Sequence, residues 1–297
     1  MNLLIDGSNI LWRAHWMATK GPGGDKTQEN RYYDVYMFLN MIKGYKKIYP
    51  QSDVWIVWDK KIDRHLGNPR HEHIEGYKAG RSDASDVFAN CEIIVEISKA
   101  IGIHHFYPSH LEADDAIGWL SRQLPKSIIF SADQDLLQLI NENVYVYNIN
   151  KKAVINHLNY DRFMATHPDI FALYKSIVGD PSDNIIGIPG YGKKRGAKLA
   201  NNWETTKVTD DIKLLVEKNL KLIDISANNA FIDTLELQRY NEQFEECMGP
   251  STKDVPKFTE LLTQYNQQAH LKKMKEWTEL FNNSDINKLL SKLDILK

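Results

Sequence analysis

The chain has 297 residues, with 37 Lys+Arg against 39 Asp+Glu for a formal net charge of −2, 42% hydrophobic residues and 26% charged ones. This composition excludes collagen-like, disordered and disulfide-framework proteins and allows a sizeable core. The near-zero charge lacks the strongly basic footprint of a nucleic-acid binder and taken alone weighs mildly against such a partner. At roughly 150 residues per domain, the length fits about two domains, or one large α/β unit with an appendage. Cys91 and Cys247 form no CxxC pair, and Cys91 sits in an apolar helical pattern that suits a small core residue. Asp6 and Gly7 interrupt the N-terminus where a signal peptide needs its apolar run, and no stretch approaches the ~18 apolar residues of a membrane span. The expectation is a soluble protein of a reducing cytoplasm, with no membrane association and no internal repeat.

In chain order, Leu3–Asp6 predicts a strand, Tyr32–Ile48 a helix, Asp53–Asp59 (DVWIVWD) a strand, and Ala84–Ile101 a second helix. Residues 103–107 predict a strand, Glu112–Leu124 a helix stopped by Pro125, and Ser127–Ser131 and Val144–Ile149 two more strands. Strands alternating with helices imply a mostly parallel sheet with helices on both faces, an α/β fold class. Beyond about residue 158 the pattern turns helical, with helices over Tyr160–His167, Ile170–Val178 and Ala197–Asn202. A Gly-rich basic turn, Gly187–Gly196, precedes the last of these. From 205 onward amphipathic helices carry no motif.

The informative feature is where the acids fall. Asp6 ends the first strand, Asp59 ends DVWIVWD, and Asp133 and Asp135 follow Ser127–Ser131. Glu112, Asp114 and Asp115 open the helix after the 103–107 strand, and Asp180 and Asp183 lie in a Gly/Pro-rich loop. Carboxyl ends of parallel strands are where ligands bind, so these acids are expected at one rim. A single acid after a strand is most often a helix cap or turn residue. Nine converging carboxylates would repel one another unless cations sat among them. Oxygen-only donors suit Mg²⁺ or Mn²⁺ rather than Zn²⁺. Two such ions about 3.5–4 Å apart suit in-line attack at phosphorus. No Ser/His/Asp or Cys/His constellation competes with that reading.

The motifs Leu4-Ile5-Asp6-Gly7-Ser8-Asn9, Glu112-Ala113-Asp114-Asp115, Ser131-Ala132-Asp133-Gln134-Asp135-Leu136-Leu137, Gly179-Asp180-Pro181-Ser182-Asp183-Asn184 and Gly187-Ile188-Pro189-Gly190-Tyr191-Gly192 follow one another in order. Together, over roughly residues 1–203, they resemble the structure-specific 5′-nuclease superfamily of flap endonucleases, the 5′-nuclease domain of bacterial DNA polymerase I and bacteriophage 5′-exonuclease/ribonuclease H enzymes. The stand-alone architecture looks most like a bacteriophage member. The resemblance implies a PIN-like α/β core over 1–158 with an arch at about 60–83, a helix–hairpin–helix region over 159–204, and a helical C-terminal region over 205–297. It places Asp6, Asp59, Glu112 and Asp114 around a first Mg²⁺, and Asp133, Asp135, Asp180 and Asp183 around a second, with Asp115 able to reach either; Mn²⁺ could substitute.

The same resemblance assigns the hairpin to Gly187–Gly192, where Gly190 and Gly192 would let backbone N–H groups approach a phosphate and loop carbonyls would hold K⁺. Lys193, Lys194, Arg195 and Lys198 would add duplex-binding charge. Tyr77-Lys78-Ala79-Gly80-Arg81 resembles the family's Tyr-Lys-x-x-Arg element, in which Lys78 and Arg81 neutralise the scissile phosphate and Tyr77 stacks on a base. The family's Pro shortly before this Tyr is replaced by Ile74-Glu75-Gly76. His65, His71 and His73 match no zinc-site spacing and are expected to be exposed polar residues, and Gly21–Lys26 a surface loop.

The implied activity is a divalent-metal-dependent 5′-3′ exonuclease or flap endonuclease acting at single-strand/duplex junctions, on 5′ flaps, 5′ ends and RNA primers, in DNA replication and repair. RNA–DNA hybrids and a replication protein, such as a single-strand-binding protein or a polymerase, are the implied further partners of a monomer. Two other readings stand beside it. One is a catalytically silent binder of branched DNA, against which all nine acidic positions are filled. The other is a phosphatase of the haloacid-dehalogenase type, which wants Asp-x-Asp after strand one, where Asp6-Gly7-Ser8 has a single acid. The opening charge balance also reads differently now: 39 acids less the nine proposed leaves 30 against 37 bases, so an acidic pocket and a basic exterior cancel.

Overall fold

The computed structural model describes residues 1–20, 31–59, 66–74, 76–78, 84–227, 229–249 and 253–282. Its elements run β1 (Asn2–Asp6), α1 (Gly7–Lys20), α2 (Tyr33–Ile48), β2 (Asp53–Val57), α3 (Arg70–His73), α4 (Ser85–Phe88), α5 (Cys91–Ala100), β3 (His104–Phe106), α6 (Ala113–Gln123) and β4 (Ser127–Ser131). They continue with β5 (Val144–Asn148), β6 (Ala153–Ile155), α7 (Phe171–Val178), β7 (Gly179–Asp180), β8 (Ile185–Ile186), α8 (Lys193–Asn201), α9 (Asp210–Ile223), α10 (Thr234–Met248), α11 (Val255–Gln264) and α12 (Gln268–Leu271). The class is α/β with mostly parallel strands, as the alternation of strand and helix patterns implies. Two compact units divide the chain, one of Met1–Val57, Asp83–Phe106 and Glu242–Lys297, the other of Trp58–Ser82 and Tyr107–Asn241. The boundaries expected near 158 and 204 both fall inside the second unit.

In the first unit, β2 pairs in parallel with β1, from Asn2↔Asp53 to Asp6↔Val57, and with β3, from Trp55↔His104 to Val57↔Phe106. Leu3, Leu4, Ile5 and Val54–Val57 are all buried, the unbroken apolar run of a parallel strand covered on both faces. Helix α1 has no counterpart in the sequence reading, because Gly7, Ser8 and Asn9 are poor helix formers. It begins there because the Asp6 carboxylate accepts the Asn9 backbone N–H at 3.0 Å, three residues on, as an N-cap does. Ile10, Leu11, Ala14 and Ala18 then form its buried stripe.

The single helix expected over 84–101 is two, α4 and α5. Asn90 breaks it: its side-chain amide donates to Asp34 at 2.9 Å and to the Arg31 carbonyl at 3.1 Å, the competition with helical backbone that Asn brings. Toward the C-terminus, Asp254 caps α11 by accepting the Lys257 N–H at 2.8 Å, and its own N–H donates to the Ala100 carbonyl at 2.9 Å. Phe258, Leu261, Leu262, His270, Trp277 and Phe281 are buried together with that end of the unit.

In the second unit, β4 and β5 are parallel, from Ser127↔Val144 to Ser131↔Asn148, and β6 returns antiparallel to β5. All five residues of β4 are buried. The helix expected over 160–167 shrinks to one 3₁₀ turn, Tyr160–Arg162, and a second, Pro168–Ile170, follows beyond it. Pro168 cannot donate to a preceding helical turn and begins a new one instead. Helices α7, α8 and α9 share a core of Ile177, Ile188, Leu199, Ala200 and Val216. Helix α8 starts at Lys193, earlier than expected, so Lys193, Lys194 and Arg195 form its first turn rather than a loop. The β7–β8 hairpin joins α7 to that region and closes tightly at Gly179. There φ is +84°, and a Cβ would lie 2.4 Å from the Gly187 nitrogen, so no other residue fits.

Candidate metal centre

The start of α6 organises the site. Glu112 is its N-cap and Asp115 its third residue, and the Asp115 carboxylate accepts the Glu112 N–H at 3.0 Å. Carboxylate oxygens of Glu112, Asp114 and Asp115 lie within 4.8 Å of one another. Asp59 joins them at the end of the 53–59 run, its Oδ1 accepting the Ala113 N–H at 2.8 Å. The loop leading into α6 is pinned from α10, where the buried Glu236 accepts the backbone N–H groups of Ser109 at 2.7 Å and His110 at 2.9 Å.

Three cationic side chains stand among these acids. Arg70 of α3 is 1% exposed and donates through both terminal nitrogens to Asp115, at 2.7 and 2.6 Å. The Lys78 ammonium lies 2.5 Å from Glu112 and 3.8 Å from Asp183. The Tyr77 ring is buried, and its hydroxyl donates to Glu112 at 3.0 Å. Lys78 holds φ at +56°, and Gly76 two residues earlier is at +72°. A non-glycine residue there costs about 1–2 kcal/mol, a strain of the kind that collects at functional sites. The third cation, Lys175 of α7, bridges Asp135 at 2.7 Å and Asp180 at 2.6 Å.

The second group of acids is set by two turns. After β4, the Asp133 N–H donates to the Ser131 hydroxyl at 3.0 Å and the Asp135 N–H to Asp133 Oδ1 at 2.9 Å. In the β7–β8 hairpin, Asp180 accepts from the Ser182 N–H at 2.9 Å and the Ser182 hydroxyl at 2.5 Å. The Asp183 N–H donates to the Asp180 carbonyl at 3.2 Å. The 180–183 turn therefore carries Asp180 beside Lys175 and Asp183 beside Lys78.

Protonation follows from burial and charge. Burial, then the neighbouring charges of Asp115 and Glu112, hold the Asp114 carboxyl well above its ordinary range. Burial also pushes Asp115 upward, but the charge and hydrogen bonds of Arg70 outweigh it and leave the carboxyl below its usual value. Asp135 is pushed up to about 6, by burial first and by Asp133 and Asp180 further, against the downward pull of Lys175. Lys78 and Lys175 rise despite burial because carboxylates surround them. A carboxyl raised by burial and its neighbours' negative charge is one that a cation would return to its ionised form. Together with donors that are all oxygen, this fits a hard divalent ion, and the centre is one for divalent metal.

Of the nine acids read from the sequence, eight lie in the second unit; Asp6 lies in the first, at the end of β1, where it caps α1. Arg81 lies outside the described residues, as do His65 and the loop 21–26. Gly190 has φ +81°, and Gly192 precedes α8, whose Lys193, Lys194, Arg195 and Lys198 are all exposed. The first turn of α8 contains no acid. Three bases at the positive end of a helix dipole repel it and favour an anion nearby. A cleft of about 550 Å³ opens there, lined in part by Pro189, Gly190, Tyr191, Arg195 and Lys198.

Arg70, Lys175 and Asn229 belong to the centre and were not singled out in the sequence. Lys175 alone left a signal, as the single charge in the otherwise apolar or small run Phe171–Val178. Asn229, whose amide donates to Asp115 Oδ1 at 2.6 Å, left none.

Residues 1–166 match the family described as 5′-3′ exonuclease, N-terminal resolvase-like domain. The chain is 33% identical over 217 residues to a 5′-3′ exonuclease of Mycoplasmopsis pulmonis (strain UAB CTIP), covering 71% of this chain and 69% of that one. It is 30% identical over 210 residues to a thermostable DNA polymerase I of Thermus thermophilus, covering 68% of this chain but 24% of the polymerase, about a quarter of its length. In fold it is similar to the bacteriophage T5 flap endonuclease seen in a pseudo-enzyme–product complex with DNA and metal ions, with TM-score 0.65, 19% identity, and coverage of 83% of this chain and 99% of that one. Among the described residues no helix is long and apolar enough to cross a membrane. The chain belongs to the 5′-3′ exonuclease family and is a hydrolase.

Proposed function

We propose that this chain hydrolyses phosphodiester bonds of DNA near single-strand/duplex junctions, at 5′ ends and flaps and on RNA primers, with two Mg²⁺ ions, for which Mn²⁺ can substitute. The observation that carries this reading is the pair of carboxylate groups joined by the 180–183 turn, each with a lysine at its centre. Asp59, Glu112 and Asp114 would hold one ion and Asp133, Asp135 and Asp180 the other. Bound there, the ions would generate hydroxide at neutral pH and steady the leaving oxygen.

The chain's own residues set the rest. Lys78, aimed by its left-handed backbone at Glu112 and Asp183, supplies positive charge for the phosphate under attack, and Arg81 is proposed to share that work. Tyr77 orients Glu112 through its hydroxyl, and stacking on a base would need its buried ring to turn outward. The Gly187–Gly192 loop with Lys193, Lys194, Arg195 and Lys198 grips the duplex phosphates as a helix–hairpin–helix element, with K⁺ on its carbonyls.

The test is a product-length assay on a 5′-labelled flap, a nicked duplex and an RNA-primed duplex, in Mg²⁺ and in EDTA. Cleavage at the junction in Mg²⁺ alone is expected, and Asp59→Asn or Asp135→Asn should abolish it while leaving duplex binding intact. Unchanged Mg²⁺-dependent cleavage in both variants would remove the metal assignment.

A further inference from the structure

Asp115 is fully buried and its carboxylate is saturated by protein donors. Oδ1 accepts from Arg70 Nη2 at 2.6 Å and from Asn229 Nδ2 at 2.6 Å; Oδ2 accepts from Arg70 Nη1 at 2.7 Å and from the Glu112 N–H at 3.0 Å. An ionised carboxylate offers about four lone-pair sites, and all are used. A metal ion could bind Asp115 only by displacing a charge-assisted hydrogen bond in a dry interior, where such bonds are strongest.

The donors are themselves fixed. Arg70 Nε donates to the Leu222 carbonyl at 2.9 Å, and its N–H donates to the Asn68 side chain at 3.0 Å. The guanidinium carbon sits 4.9 Å from the centre of the Phe231 ring, a cation–π contact in a desolvated place. Asn229 Oδ1 accepts the Phe231 N–H at 3.0 Å. The amide orientation of Asn229 is therefore determined, with its NH₂ toward the carboxylate and its oxygen toward a backbone donor. Three parts of the chain converge on one carboxylate: Arg70 of α3, the first turn of α6, and Asn229 beyond α9.

We propose that Arg70 and Asn229 are positioning residues that make Asp115 a structural anchor rather than a metal ligand. The anchor holds the backbone of Glu112 and so fixes the first turn of α6, from which Glu112 and Asp114 reach the metal ion. The proposal rests on the metal reading given above and narrows it, removing Asp115 from the ligands and adding two residues behind it. Partners of this kind around a metal site change metal affinity or activity by about 10–100-fold when removed. Arg70 is suited to the role because its planar fork matches both carboxylate oxygens at once, which the single ammonium of a lysine cannot do.

The experiment compares wild type with Asn229→Ala and Arg70→Lys, well below their melting temperatures. Mn²⁺ is titrated calorimetrically into each protein without DNA. Single-turnover cleavage rates and flap-substrate affinity are then measured, the affinity in Ca²⁺. The expected result is an unchanged number of Mn²⁺ ions bound, with affinity weaker by about 10–100-fold. The single-turnover rate should fall with it while substrate affinity stays constant, a split that a general loss of folded protein would not give. Unchanged Mn²⁺ affinity and rate in Asn229→Ala would overturn the proposal. Tighter Mn²⁺ binding would also overturn it, since Asp115 would then be a ligand that Asn229 withheld. Wild-type protein that binds no Mn²⁺ would instead refute the metal reading on which the proposal stands. If Asn229→Ala does not fold, Arg70→Lys, which keeps the charge and loses the fork, decides between the same outcomes.

Discussion

Lys175→Met tests whether Asp135 and Asp180 share a cation-binding role. The ammonium lies 2.7 Å from Asp135 and 2.6 Å from Asp180, and its side chain is 19% exposed. At an effective dielectric of about 20, each contact has a Coulomb energy of about 6 kcal/mol, much of which offsets the desolvation of three charges. Removing one partner of a buried pair costs about 3–5 kcal/mol, and the partial exposure places this one near 3. For a chain of this size that corresponds to a fall of about 5 °C in melting temperature. In EDTA the loss should be largest at alkaline pH and should shrink as pH falls toward about 6, because without the ammonium that pulls it down Asp135 takes up its proton at higher pH in the variant than in the wild type. The sign follows from linkage: a carboxyl with a raised folded pKa carries its penalty when ionised, so the penalty is relieved on acidification. In saturating Mg²⁺ the divalent charge replaces the ammonium, and the deficit should fall below about 1 kcal/mol. Melting curves by circular dichroism, with and without EDTA, read both numbers. An equal loss in EDTA and in Mg²⁺ would mean that Asp135 and Asp180 hold no ion in common, and the reasoning would fail.

Gly118→Ala should destabilise the protein even though alanine favours a helix interior by about 1 kcal/mol. A Cβ at Gly118 would lie 2.2 Å from the Ile225 carbonyl oxygen, and overpacking against backbone costs about 1–3 kcal/mol or more. Urea denaturation showing an equal or higher midpoint would mean that residues around 225 do not press on α6. Replacing Lys193, Lys194 and Arg195 together by Gln should weaken duplex binding uniformly across sequences. It should also flatten the slope of log affinity against log salt by about 2–3, since each phosphate no longer neutralised removes about 0.9. An unchanged slope would show that the duplex is gripped elsewhere.

Most strands were legible because each is a short, uninterrupted apolar run between polar punctuation: Leu3–Ile5, Val54–Val57 and Ile128–Phe130 are buried throughout. The acids were legible for a related reason, since an Asp following such a run stands at a strand end whatever the tertiary detail. Helix α1 was not, because its start depends on one side-chain bond from Asp6 rather than on propensity. The break at Asn90 likewise depends on where Asp34 happens to lie. The partners of the acids were the least legible part. Arg70 meets Asp115 across 45 residues and Asn229 meets it across 114, and no local pattern encodes a contact at that distance. Nine carboxylates seen in sequence call for divalent ions, while the fold also places the side-chain cations Arg70, Lys78 and Lys175 among eight of them.

That placement divides the acids by the kind of cation each one faces. In the second unit eight of them, Asp59, Glu112, Asp114, Asp115, Asp133, Asp135, Asp180 and Asp183, stand with Arg70, Lys78 and Lys175. Eight negative charges less three positive leaves five, and two divalent ions bring four. Arg70 is always charged, and its fork is locked by a carbonyl, an aromatic ring and both oxygens of Asp115, so its charge cannot be exchanged for a metal's without dismantling the start of α6. The two lysines are point charges on flexible stems, Lys78 between Glu112 and Asp183 and Lys175 between Asp135 and Asp180. The guanidinium charge is thus built into the scaffold, while each ammonium answers carboxylates from two segments of the chain, and of the three cations only Lys78 holds a left-handed backbone.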